Sequence, residues 1–183
     1  MSRLILKLIA PLMLAIGIAC NGIALAASKA EIDIEVEAAL KRFKNDVPTA
    51  DEYIKISKGM LVFPSIFKAG IGIGGEYGEG ALLINGKTTQ YYSTAAASIG
   101  FQLGAQSKTV ILIFVDKKAL DKFRDSDGWE AGVDGSVALI ETGAATTFDT
   151  STIKNPIIAF VFNNKGLMYN LSLEGSKYTK IDR

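Results

Sequence analysis

Apolar residues recur along this chain with two different periods, and the change falls at Gly59. From Ser28 to Asp46 the positions Ile32, Val36, Leu40, Phe43 and then Val47 follow at steps of four, four, three and four. That spacing lays them along one stripe of an α-helix. Ser28 and Glu31 stand at capping-box distance, acidic residues fill the first turns, and Lys41, Arg42 and Lys44 fill the last, as the helix dipole favours. Pro48 ends the helix. Thr49 and Glu52 repeat the capping-box spacing and predict a second, shorter helix to Lys58, with Gly59 as its stop.

Beyond Gly59 the period becomes two. Met60–Phe63 and Ala69–Gly75 read as strands, with Pro64 between them at an edge or bend. Ala81–Ile84 and Lys87–Gln90 flank Asn85-Gly86, the residue pair that a two-residue hairpin turn demands. Tyr91–Gln106 is small and polar. Thr109–Val115 is a near-continuous apolar strand, predicted to be central. Asp116 caps a short internal helix over Lys117–Arg124, and Trp129–Glu141 returns to a strand pattern. Gly143–Asn155 is a polar loop. Pro156–Phe162 and Leu167–Leu173 make a second hairpin, and Lys177–Ile181 a last strand. The expected fold is α+β: a curved, mostly antiparallel sheet or partly closed barrel, with two N-terminal helices and one short internal helix.

Residues 1–26 change the domain count. Arg3 and Lys7 precede an apolar stretch from Leu8 to Ile18, and Ala24-Leu25-Ala26 offers a small-residue cleavage site. This reads as a signal peptide cut between Ala26 and Ala27. A rival cleavage precedes Cys20, which would then be lipidated. One domain follows over 27–183, helical over 27–58 and mainly β over 59–183. The expected location is the periplasm, with a membrane-anchored lipoprotein through Cys20 as the alternative.

Composition removes whole chemistries. The 183 residues include no histidine and a single cysteine, Cys20. Imidazole acid–base catalysis, histidine-activated nucleophiles and Cys- or His-ligated zinc are therefore absent. Without Arg3 and Lys7, the 20 basic residues become 18 against 19 acidic ones, a net charge of −1. That balance argues against binding nucleic acid.

One stretch holds six glycines between Gly70 and Gly80. Gly70, Gly72 and Gly75 spell G-x-G-x-x-G, but no helix follows to receive a pyrophosphate, so a glycine-lined strand is expected instead of a nucleotide site. Ser65-Ile66-Phe67-Lys68 matches S-x-x-K without the partner motifs of penicillin-binding enzymes. Gly86-Lys87-Thr88 lies in a hairpin, not a phosphate loop. Asp125, Asp127 and Glu130 miss the register of a calcium loop. Glu76 and Glu79 have odd spacing, which on a strand sends them to opposite faces. No enzyme, metal or cofactor is expected.

Lys41, Arg42, Lys44, Lys55, Lys58 and Lys68 cluster in the sequence near the helices and the start of the glycine run. They are candidates for lipid-headgroup binding beside an amphipathic helix. Ile32, Val36, Leu40 and Phe43 form the stripe that would face either a membrane or the core.

Several stretches together resemble the SYLF domain family. They are Lys58–Pro64, Lys68–Leu83 (KAGIGIGGEYGEGALL), Tyr91-Tyr92-Ser93, Ser98–Ser107, Phe123–Ala138 and Gly166–Ile181. The resemblance runs from about Ala30 to Ile181. It implies a lipid-binding module that meets anionic phospholipid or a membrane surface. Eukaryotic relatives also bind actin, which an exported bacterial protein would not meet. The expectation is a non-enzymatic phospholipid-binding module of the cell envelope. The alternative is a structural or protein-interaction component of the periplasm without direct lipid binding.

Overall fold

The computed structural model describes residues 27–141, 154–166, 173 and 175–183. Helix α1 spans Lys29–Asp46, with Ser28 as its N-cap. The Glu31 amide donates to Ser28 Oγ at 3.3 Å and the Ser28 amide to Glu31 Oε2 at 2.7 Å. The expected capping box is therefore formed. The Ser28 amide and hydroxyl also hold the Glu31 carboxyl below its usual pKa. Helix α2 is Ala50–Ile56, but the Thr49 side chain makes no capping hydrogen bond, so the second capping box is not formed. Nor does Gly59 stop this helix. Ser57 closes it, and Gly59 already begins the sheet.

The two N-terminal strand fragments are one strand, β1, Gly59–Ile84. The small, polar Tyr91–Gln106 stretch is likewise strand, part of β2, Lys87–Phe114. Ladder pairing from Gly59↔Phe114 to Ile84↔Lys87 overrides the weak local propensity. Asn85 and Gly86 close the hairpin with φ of 53° and 73°, as the sequence requires. The chain continues through α3 (Lys117–Asp125), β3 (Trp129–Glu130), β4 (Val137–Glu141), β5 (Ile157–Gly166) and β6 (Lys177–Ile181). The Trp129–Glu141 pattern thus splits into two strands around a turn. The expected strand Pro156–Phe162 is β5, which runs on to Gly166 and pairs with β2 and β4. Residues 167–172 and the polar loop up to residue 153 lie outside the described residues.

The sheet is a curled half-barrel and mostly antiparallel. β2 forms its spine, pairing with β1 along one edge, and with β6 and β5 on the other. Among the described strands, only β4 runs parallel to its neighbour, β5. The β1–β2 hairpin bends near the register shift between Ile71 and Ile73, and β1 then crosses its own first half. A Cβ at Gly78 would stand 2.8 Å from the Ser65 carbonyl oxygen, and one at Gly80 would run into the Val62 carbonyl. Side chains cannot occupy that crossing, which is why glycines line it.

Two cores result. On the outer face α1 and α2 pack against the sheet through Ile32, Val36, Phe43, Tyr53, Val62 and Phe160. Phe43 and Tyr53 both meet the Phe160 ring edge-on, with centroids at 4.8 and 4.9 Å. Inside the curl, Phe123 of α3 contacts Tyr92, Phe114 and Trp129 at 4.9, 5.0 and 5.6 Å. Burial pushes the Tyr92 phenol up to about 12 and raises that of Tyr178 further.

Candidate functional site

The six basic candidates do not form one patch. Lys41 pairs with Glu37 at 3.0 Å and Lys44 with Asp51 at 3.1 Å, both on the exposed side of the helices. Arg42 is exposed on α1. Lys68 turns into the interior of the sheet and is 7% exposed. Lys55 and Lys58 come together at an open cleft of about 740 Å³, lined also by Lys154, Glu52, Asp116 and an apolar floor of Ile56, Val115 and Pro156. Of the apolar stripe, Ile32, Val36 and Phe43 are buried in the outer core and Leu40 packs against it. The structure therefore uses the stripe as core.

Backbone hydrogen bonds hold the cleft walls. The Lys58 amide donates to the Phe114 carbonyl at 2.7 Å, extending the β1–β2 ladder by one rung. The Val115 and Asp116 amides both donate to the Pro156 carbonyl, at 3.1 and 3.4 Å. Asp116 is occupied as the cap of α3, accepting from the Ala119 amide at 2.9 Å. Among the described residues, Lys55, Lys58 and Lys154 make no ion pair. Three ammonium groups thus meet two carboxylates, one of them engaged, over an apolar floor. Such a cleft suits a phosphate carried on an apolar body. Sequence reading could not place Lys154 here. It stands far along the chain, and only the β2–β5 pairing brings it beside Lys58.

A second polar group lies inside the curl. Lys108 Nζ meets Glu76 Oε2 at 3.1 Å, with both side chains almost fully buried. Ser176 Oγ donates to Glu76 Oε1 at 3.3 Å. The Gln106 amide and the Thr94 hydroxyl, also buried, have no protein partner among the described residues. Glu79, on the opposite face as its spacing requires, pairs with Arg183 and accepts from the Tyr77 hydroxyl. Burial and that hydrogen bond to Glu79 raise the Tyr77 phenol pKa.

The paper motifs resolve in the same way. Gly70, Gly72 and Gly75 sit within β1. Ser65 is exposed and its hydroxyl lies 3.1 Å from that of Ser107. Lys68 faces inward, so the two cannot act as a nucleophile and base. Among the described residues no three carboxylates, histidines or cysteines gather to hold a metal ion. No described helix is long and apolar enough to cross a membrane.

The fold defines an α+β domain built on a curled, mostly antiparallel sheet, with a lysine-rimmed cleft at one end. Residues 95–182 match the family model described as Ysc84, Las17-binding protein actin regulator. Over that stretch the chain is similar to the SYLF family that its sequence resembles. The matched stretch reaches from the middle of β2 through β6. No curated protein matches the chain.

Proposed function

We propose that the protein is a non-enzymatic phospholipid-binding module of the bacterial cell envelope. In this reading residues 1–26 export it to the periplasm, by cleavage before Ala27 or as a lipoprotein through Cys20. The observation that carries the proposal is the convergence of Lys55, Lys58 and Lys154, without ion-pair partners among the described residues, on one cleft with an apolar floor. It supports binding of an anionic headgroup there. The family's actin ligand has no counterpart in that compartment. Intact mass of the mature protein distinguishes the two processing routes.

Co-sedimentation with phosphatidylglycerol vesicles tests the cleft. The double variant Lys55→Glu/Lys58→Glu is expected to bind at least fivefold more weakly, and wild-type binding to fall as salt rises. The Lys41→Glu/Lys44→Glu variant, whose lysines are already paired, is expected to lose less. Wild-type behaviour of the cleft variant rejects the headgroup site.

Burial of Ile32, Val36 and Phe43 favours a second reading, in which α1 is purely structural and the domain meets a protein. Cysteine labelling at Leu40, unchanged by vesicles that bind the protein, is expected in both readings. Absence of any vesicle binding selects the second.

A further inference from the structure

The polarity of the sheet is inverted where the hairpin bends. The outer core takes no residue of β1 between Val62 and Ala81, so α1 and α2 leave this end of the sheet uncovered. A sheet face turned to water ordinarily carries polar side chains and buries apolar ones. Here the uncovered face holds Phe67 at 56% exposure, Ile73 at 71% and Tyr77 at 52%. Exposed alanines accompany them: Ala69 pairs with Ala105 across the ladder and Tyr77 with Ala95. The side chains turned inward are Lys68, Glu76, Thr94, Gln106 and Lys108, all less than a tenth exposed. The sequence carries no charged residue over 69–75 or over 88–107. The charged groups here are therefore inside, with Glu76 and Lys108 paired to each other, while the outside is apolar.

That arrangement fits a lipid environment, where exposed charge is costly and strands alternate apolar-out, polar-in. We infer that the bent end of the β1–β2 hairpin is a membrane-docking surface that seats in the upper acyl region of a bilayer. It does not span it. Among the described residues β1 pairs with a strand on one edge alone, and such an edge forbids deep immersion, because unpaired backbone groups find no partner in hydrocarbon. Tyr77 marks the water boundary. Its hydroxyl reaches Glu79 at 2.7 Å, and Glu79 in turn pairs with Arg183, both largely shielded from water. A tyrosine with one apolar end and one wet end is the usual residue at that level. From Tyr77 to the bend near Ile71 is six residues, or about 20 Å of tilted strand.

This inference rests on the lipid-binding reading but uses the opposite end of the sheet. Gly59↔Phe114 borders the cleft, while Gly70↔Gly104 lies at the bend. One bilayer cannot meet both ends, so the tip and the cleft engage different lipid molecules.

Ile73→Trp tests the tip, because the native Trp129 is 2% exposed and serves as an internal control. With phosphatidylglycerol–phosphatidylcholine vesicles brominated on the acyl chains, the new indole is expected to be quenched and the wild-type protein not. Ile73→Glu is expected to weaken vesicle binding about tenfold or more, with unchanged circular dichroism and melting temperature. The cleft variant Lys55→Glu/Lys58→Glu should keep the quenching at saturating lipid. Wild-type vesicle binding without quenching at position 73, and with no loss in Ile73→Glu, overturns the tip and leaves the cleft reading standing. A tip variant that changes only the oligomeric state shows a second copy as the occupant and also overturns it. Failure of the wild-type chain to bind vesicles rejects both.

Discussion

Glu76 and Lys108 bring opposite charges into the inner face of the curl, where each depends on the other. Their mutual attraction at 3.1 Å offsets the cost of removing both from water. Lys108→Ala leaves a buried carboxylate with only the Ser176 hydroxyl, and is expected to lower unfolding free energy by about 3–5 kcal/mol in urea titrations. Replacing the pair together, Glu76→Leu with Lys108→Met, should cost far less. Tyr92 gives a second residue-scale expectation. Burial raises its phenol to about 12. Between an unfolded value near 10 and the folded one, only the unfolded chain loses the proton. The stabilising contribution of the protonated phenol is thus complete below about pH 10 and lost as pH rises to about 12, at about 1.4 kcal/mol per pH unit. Tyr178 adds to the same alkaline loss. Urea titrations at pH 9 and 12 measure it, and Tyr92→Phe should make the slope shallower.

At the scale of elements, the bend in β1 decides the architecture. Gly80 faces the Val62 carbonyl so closely that a methyl group has no room, whereas a Cβ at Gly75 finds only the Ala96 carbonyl, 3.9 Å away. Gly80→Ala is expected to lose about 3 kcal/mol or more, and Gly75→Ala less than about 1 kcal/mol, by thermal or urea unfolding. Ser28→Ala removes the one hydroxyl of the formed capping box and should cost about 1 kcal/mol. Local code was legible where local physics sets the conformation. The cap at Ser28, the Asn85-Gly86 turn, α3 and β6 all stand where their residues place them. The code was silent on β2. Small and polar residues from Tyr91 to Gln106 have little strand preference of their own, and pairing with β1, joined by β6 at Tyr91–Ala95 and by β5 from Gln106, supplies it. Thr49 and Glu52 had the right spacing for a capping box and did not form one, since spacing permits that hydrogen bond without enforcing it.

For the whole molecule, the two ends of the sheet have different chemistry. One end carries Lys55, Lys58 and Lys154 over an apolar floor, and the other shows Phe67, Ile73 and Tyr77 to the outside. If both meet lipid, the protein should draw separate vesicles together. Turbidity of phosphatidylglycerol vesicles is expected to rise with wild-type protein and to stay low with either Ile73→Glu or Lys55→Glu/Lys58→Glu. Equal turbidity with both variants would show that clustering does not use these ends.

The sequence by itself determined the α+β class, the helix and hairpin signals, the missing histidine and the family resemblance, because period, turn chemistry and composition are properties of neighbouring residues. It also separated Glu76 from Glu79, since alternation along a strand needs no tertiary information. Only the tertiary structure decided which lysines share a site. Lys68 and Lys58 are close in sequence, yet one faces the interior and the other a cleft completed by Lys154. Only the fold showed that the stripe of α1 is core, and that the glycine run is a crossing of β1 over itself. Both depend on what packs against a face, and a strand's alternation marks its two faces without saying which of them water will meet.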